Sequence, residues 1–449
     1  MDTANKEEVL LQKSQVFDRD FRVVLDSACT VGSGIIRVEN SNKKRAISAF
    51  NALGVTPSFF IPASGSGSRM FNFLYEWLEN GEDSDMISAF FNQFELFPFA
   101  SNVKSRNHRA SIANELLGES ELNYGEIPKG LIPFHIEDGK VYSAFQEHVR
   151  QAKSLLKKDV KIHFTIQQKF EKRIIENIAA INKDVVCTFS YQEVSSNAFC
   201  FDDNQDLVMR EGVCLKRPAG HGSILSNLNE LDSDLVLIKN IDNIQHNSKA
   251  ALTEEVWKVS IGTLKNFQED LKLLGEAYSF DGLVDLNLKY QFLSEQELAE
   301  FDELKFEVLM SRPTRVCGMV KNEGRPGGGP FWMRNQHGVT KQIVEKIQIS
   351  STPEQMSIAQ NSSHFNPVFM AVCKTDVHGD RLDLTRFTDE QAYFVVEKMD
   401  KNVSVKYREL PGLWNGGMSN WNTIFIEIPS AVFSPVKTVL GLNNPAHKA

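Results

Sequence analysis

Residues 59–78 read FFIPASGSGSRMFNFLYEWL. An apolar run breaks into Ser64-Gly65-Ser66-Gly67-Ser68-Arg69-Met70 and passes into a helical pattern. Glycines at a strand-to-helix turn let backbone N–H groups close on a phosphate chain. Arg69 adds a fixed charge suited to phosphate. Sixty positions on, residues 126–134 read EIPKGLIPF, which sets Lys129 between two prolines, Pro128 and Pro133. The order of parts points to a nucleoside triphosphate.

The surroundings of this turn define a fold class. Short β-rich runs at 58–63, 160–166, 185–191 and 235–241 alternate with helical patterns at 142–156 and 170–178. The helical stretches place Phe145, Val149, Ala152 and Leu156, then Phe170, Ile174, Ile175 and Ile178, at i/i+3/i+4 spacing. Strand–helix–strand alternation predicts an α/β fold with a mostly parallel sheet covered on both faces. Ligands of such sheets bind outside the carboxyl ends of the strands. Both the glycine turn and the turn at Asp242 fall there. Beyond residue 314 the runs RVCGMV, KQIVEKIQI, PVFMAVC, VKYREL and TIFIEI are strand-like with few helices between them. They predict an extension of the same sheet or a second, mostly antiparallel one. Residues 1–50 read as mainly helical and peripheral.

Composition narrows the function classes. A formal net charge of −9 argues against a nucleic-acid surface, which needs basic faces. The acidic N-terminus MDTANKEEVLL lacks a signal peptide's basic start and apolar core, and no apolar run approaches a membrane span. The six scattered cysteines contain no C-x-x-C and read as reduced core thiols of a cytoplasmic protein.

Each motif alone also allows a plain structural account. GSGSRM is neither a Walker loop, since no Gly-Lys-Ser/Thr follows, nor a dinucleotide fingerprint, since Met70 holds the third glycine's place. It also reads as a tight turn. Pro128 and Pro133 also read as brackets of a short strand with Lys129 solvated. In KRPAGHGSILSNLNELDSDLVLIKNIDNI (216–244), His221 also reads as a core histidine in a turn, and Asp242-Asn243 as a strand terminator. Here glycines beside His221 would let the backbone approach a flat base or ribose. Asp242, at a strand's carboxyl end, is placed to hold a Mg²⁺ bridging phosphates.

Taken in order, these residues resemble the nucleotidyltransferases that make nucleotide sugars, with their Gly-x-Gly-Thr-Arg-Leu/Met loop and Pro-Lys-x-Leu-Ile/Leu-Pro segment. Gly65, Gly67, Ser68, Arg69 and Met70 match the loop. Pro128, Lys129, Leu131, Ile132 and Pro133 match the segment. Pro218, Gly220, His221, Gly222, Asn240, Asp242 and Asn243 are similar to the Pro-x-Gly-His-Gly-Asp and Asn-x-Asp-Asn pattern of eukaryotic-type UDP-glucose and UDP-N-acetylglucosamine pyrophosphorylases, with Ser223 in place of Asp. Gln192 falls where those enzymes place a glutamine facing uracil. Glu345 and Asn366 resemble their sugar-facing Glu strand and Phe-Asn-x-Asn, although Pro367 breaks the polar run. Ser434-Pro435-Val436-Lys437 resembles their Pro-Val-Lys. The HFNP (364–367), GGGPFW (327–332) and LPGLWNG (410–416) stretches resemble a bacterial domain-of-unknown-function family, DUF 4301.

The resemblance implies a three-layer αβα nucleotide-diphospho-sugar transferase fold of the GT-A, Rossmann-like kind, with a helical insertion and a β-rich C-terminal part. It implies an N-terminal extension over 1–50 and a catalytic domain over 51–445, with insertion 75–120 and sugar-side part 314–445. It implies transfer of UMP from UTP to a sugar 1-phosphate with release of pyrophosphate. Arg69, Lys129 and Lys437 would be catalytic; Ser64 to Ser68, Gln192, Gly220, His221 and Gly222 would bind nucleotide. Asp242 would hold Mg²⁺, and Asn243, Glu345 and Asn366 would face the sugar. A nucleotide-binding protein without transfer, and a glycosyltransferase using a finished nucleotide sugar, are the alternatives. The sixty positions between Arg69 and Lys129 exceed the spacing usual in those enzymes. Their FFNQFELFPF cluster (90–99) suits a helical cap over the site or a packing element apart from the chemistry. TVGSGI (30–35), the 323–330 glycine loop and GLWNGGMSNWN (412–422) are further candidates, the last as a sugar-binding edge or a turn with buried indoles.

Overall fold

A computed structural model describes residues 3–18, 22–181, 184–192, 196–324, 328–335, 338–400 and 403–449, with side chains from residue 6 onward. Its contacts divide the chain into two units. The first comprises 1–52, 192–234 and 260–428, and the second 53–191, 235–259 and 429–449.

The second unit is built on a parallel sheet. In spatial order its strands are Leu235–Lys239, Ser58–Pro62, Lys161–Ile166 and Val186–Tyr191. All four are the runs expected from periodicity. Phe60, Ile61, Phe164, Leu237 and Ile238 are buried to within 1 %, which fits strands covered on both faces. Val186–Tyr191 alternates exposed and half-buried positions, as an outer strand does. Helix Ala144–Leu156 begins with a capping box between Ser143 and Gln146 and buries Phe145, Val149 and Ala152. The loops at 63–67 and 240–243 leave the carboxyl ends of neighbouring strands, so the topology brings the glycine turn and Asp242 to one end of this sheet.

The insertion is helical as expected, through helices Asp85–Asn92 and Arg109–Leu117. It is a packing element. Phe90, Phe94, Phe97 and Phe99 are all buried. Phe97 stacks on Phe90 and Phe99 at 5.2 Å, and Phe90 meets Phe73 of helix Ser68–Asn80 edge-on at 5.7 Å. Among the described residues, none of 75–120 hydrogen-bonds to Arg69, Lys129, Asp242 or Lys437.

The first unit holds the β-rich part. Thr30–Val31, Gly34–Ile36, Asn422–Glu427 and Thr314–Lys321 run parallel in that order, and Phe369–Cys373 pairs antiparallel with the last. Val24–Ala28, Gly329–Asn335 and Gly338–Val344 form a separate antiparallel sheet. Residues 1–50 differ from the mainly helical, peripheral reading. Helices Thr3–Val16 and Asn40–Asn51 flank strands that take part in both sheets, and Leu25, Cys29 and Ile35 are buried. Alternation in VLDSA was hidden by its brevity. TVGSGI is structural too. Gly34 donates to Gln291 Oε1 at 2.9 Å, and its carbonyl accepts from the buried Lys341 ammonium at 3.0 Å.

Candidate active site

Gly67 decides how the loop sits. A Cβ there would lie 2.1 Å from the Tyr124 carbonyl oxygen, so only glycine fits. Gly67 N–H donates to Ile127 O at 2.9 Å, and Lys129 N–H donates to Gly65 O at 3.0 Å. The two halves of the sequence motif are therefore stitched together, and the insertion's exit through Tyr124 makes the seam. Gly65 has no atom within 4 Å of an added Cβ and lies open. Helix Ser68–Asn80 starts at Gly67 with no side-chain cap and no acid in its first turn. Its first N–H groups and dipole thus favour an anion. Arg69 is exposed at that end, with no side-chain hydrogen bond among the described residues. Gln167, unmarked in the sequence reading, donates Nε2 to Ser64 O at 2.6 Å and ties the loop to the neighbouring strand's end.

Asp242 is the charged centre. Its Oδ2 accepts from Lys129 Nζ at 3.2 Å and from Lys437 Nζ at 3.3 Å. Lys129 and Asp242 side chains are 8 % and 9 % exposed, whereas that of Lys437 is 64 % exposed. Burial pushes the Asp242 pKa up, but the two lysines outweigh it and hold the carboxyl below its ordinary range. Burial draws the Lys129 ammonium down, with Lys437 and Arg69 adding repulsion against the pull of Asp242. Two ammonium groups thus converge on one carboxylate.

The segment carrying Lys437 is fastened by the same turn. Val436 N–H donates to the Asp242 carbonyl at 3.1 Å, and Ser434 N–H to Asn243 Oδ1 at 3.0 Å. Asn243, expected on the sugar side, acts here as a tether for residues 434–437, with its Nδ2 buried and unpaired.

Behind that segment lies a buried cluster the sequence did not reveal. His135 Nε2 meets His447 Nδ1 at 2.9 Å, and His447 Nε2 bonds Ser434 O at 3.1 Å. His135 Nδ1 is 3.4 Å from Glu147 Oε1, and His246 Nε2 bonds Ile136 O at 3.1 Å. Burial depresses His135 and His447 to about 3 and raises Glu147 to about 7. Lys239, fully enclosed on its strand, is lowered to about 7 by burial.

The remaining expected residues lie in the first unit. His221 is engaged by protein. Its ring stacks on Trp414 at 4.1 Å, Nδ1 accepts from Leu413 N–H at 3.0 Å, and Nε2 is 3.6 Å from Glu345 Oε1. Added Cβ atoms at Gly220 and Gly222 would lie 2.3 Å from Glu409 Oε2 and 2.1 Å from Pro411 O. Gly222 is thus required by the Pro411 backbone, and Gly220 by its φ of 74°, since the Glu409 carboxylate end can move aside. Trp414 and Trp421 are buried, which agrees with the turn reading of 412–422. Asn366 turns its Oδ1 back to accept from Val368 N–H at 3.0 Å, where Val368 holds a φ of 56°. Gln192 is half-buried with Nε2 unpaired. Residues 325–327 of the glycine loop lie outside the described residues.

Among the described residues, no group of three or more His, Cys, Asp or Glu is placed to hold a metal. Asp242 fits Mg²⁺ only as one carboxylate sharing the ion with substrate phosphates and water. All six cysteines are free thiols, and among the described residues no helix is long and apolar enough to cross a membrane.

Solved structures similar to this chain include two of related description. One is described as a UDP-N-acetylglucosamine pyrophosphorylase from Entamoeba histolytica, 13 % identical, covering 94 % of this chain and 84 % of that one at a TM-score of 0.47. The other is a UDP-glucose phosphorylase from Trypanosoma brucei, 11 % identical, covering 98 % and 75 % at 0.46. Likeness at that level says nothing of substrate. No curated protein matches the sequence. The family described as "Domain of unknown function (DUF4301)" matches residues 2–448, and the chain belongs to that family.

Proposed function

We propose that this protein is a nucleotidyltransferase that moves a nucleotidyl group from a nucleoside triphosphate to a sugar 1-phosphate. The observation that carries the reading is the meeting of Lys129 and Lys437 on Asp242 at the sheet's carboxyl end, the end from which the uncapped helix start at Ser68 and Arg69 also leaves. An oxygen of the sugar phosphate attacks the α-phosphorus. The bond from that phosphorus to its β-bridging oxygen breaks, and pyrophosphate leaves with the electron pair. The nucleophile is already an anion, so positioning and charge neutralisation suffice without a general base. The N–H groups of 65–69 other than that of Gly67, which is held by Ile127 O, and the Arg69 guanidinium would receive the β- and γ-phosphates, and the two lysines the α-phosphate.

Mg²⁺ is assigned to Asp242 with the phosphates, where it would neutralise charge on the triphosphate. Uridine rests on the 216–244 pattern and on Gln192. The six free thiols support a reducing, cytoplasmic setting. A second reading, nucleotide binding without transfer, is favoured by Asn366 Oδ1 and His221 Nδ1, which are turned to backbone N–H groups of the protein.

Removing a charge of this kind typically lowers turnover about 10²–10³-fold. Lys129→Ala should therefore slow pyrophosphate release that far and keep the near-UV circular dichroism of the parent. Unchanged turnover with the true substrates would remove the lysine from this role.

A further inference from the structure

The first unit contains a cavity of about 780 Å³ at the start of strands Thr314–Lys321 and Asn422–Glu427. That volume lies within the range of small-ligand sites, roughly 300–1,000 Å³. None of Gln192, Gly220, His221, Gly222, Glu345 or Asn366 lines it.

Its walls differ in chemistry. One is apolar: Phe292, Leu293, Val308 and Leu309, with Leu304 at the rim. Leu304 and Val308 are 79 % and 53 % exposed, so the apolar wall reaches the mouth. Facing them, Ser419, Asn420, Trp421 and Asn422 bring the amide-rich stretch that the nucleotide reading left unused. Trp421 Nε1 and Asn422 Oδ1 are buried without hydrogen-bond partners. A buried donor or acceptor left unmade costs about 1–3 kcal/mol.

The charges are unevenly spent. The acids lining the cavity are committed to helix starts and near neighbours. Glu297 Oε2 accepts from Ser294 N–H at 2.9 Å, Asp302 Oδ1 from Lys305 N–H at 2.8 Å, and Glu300 Oε1 from Gln296 Nε2 at 3.2 Å. Lys305 donates to Glu300 O at 2.6 Å, and Lys341 to backbone carbonyls. The Arg312 and Arg386 guanidinium groups make no hydrogen bond and no ion pair among the described residues. Burial draws Arg312 down and only the more distant Glu297 opposes it. A guanidinium is a fork for a carboxylate or phosphate.

We propose that this cavity binds a small organic anion with a hydrogen-bonding ring, its phosphate on Arg312 and Arg386 and its ring between the apolar wall and the Ser419–Asn422 stretch. Sugar phosphates and nucleoside monophosphates share that chemistry. The proposal is independent of the transferase reading, since every residue in it belongs to the first unit.

The test is calorimetric titration of the full chain carrying Lys129→Ala, with glucose 6-phosphate in one arm and UMP in the other. At least one probe should bind with a single site per chain. Arg386→Gln, an exposed change, and Arg312→Gln should each weaken that binding about tenfold, the loss of one charge-assisted pair. Trp421→Phe should weaken it less. Binding in only one arm identifies the source. No binding in either arm, or binding untouched by both arginine variants, overturns the proposal.

Discussion

Gly67 carries more of the site than its size suggests. A methyl group there meets a backbone oxygen at 2.1 Å, which cannot move without opening the seam to Lys129. Gly67→Ala should therefore reduce nucleotide-dependent thermal stabilisation at least tenfold in apparent affinity and lower the melting temperature by several degrees, about 1–3 kcal/mol of overpacking. Gly65→Ala, at an open position, should leave the melting temperature unchanged. Differential scanning fluorimetry of the pair checks both. At this scale the sequence foretold which residues the fold brings together where residue types come in a fixed order: glycine turn, Pro-Lys, Asp at a strand end, Pro-Val-Lys. It was silent where a role comes from burial alone. Gln167 and Lys239 carry no pattern, and Asn243 matched a sugar-side motif yet tethers a loop. The GHG glycines matched too; the Pro411 backbone requires Gly222 and a positive φ requires Gly220.

At the scale of elements, the insertion acts as a clamp. Its aromatic cluster fixes helix Ser68–Asn80 and delivers Tyr124 to Gly67. Gln93 Oε1 also accepts from Asn443 at 3.1 Å, close to the segment bearing Lys437. Truncating a buried ring typically costs about 3–5 kcal/mol. Phe97→Ala should cost that much in denaturant unfolding and lower nucleotide affinity with it. An equally destabilising variant in the first unit, such as Met333→Ala, should spare affinity. Strands and helices of the second unit were legible because each run has one period and a clear stop. The strands at 24–36 were not, since two to five residues give periodicity too little length.

For the whole molecule, stability should fall in mild acid. His135, His148 and His447 sit near 3 through burial, against about 6.5 when unfolded. Between those values the unfolded chain binds protons that the folded chain refuses. Each group then removes about 1.4 kcal/mol of stability per pH unit as pH falls. Glu147, raised to about 7, works the other way between about 4.3 and 7, since the folded chain holds its proton there, and it offsets one histidine. The net expectation is a urea midpoint that drops from pH 6.5 to 4.5, with a shallower drop in His148→Asn. A flat profile would contradict the buried neutral imidazoles.

Whether the protein transfers a nucleotidyl group is decided by analysis of its products. Wild-type protein with Mg²⁺, UTP and a panel of sugar 1-phosphates is assayed by mass spectrometry for nucleotide sugar and enzymatically for pyrophosphate. One sugar should yield both products in equal amounts, and Lys129→Ala and Lys437→Ala should lose both together. UTP binding by folded protein with neither product from any sugar would contradict transfer and leave the protein a nucleotide binder.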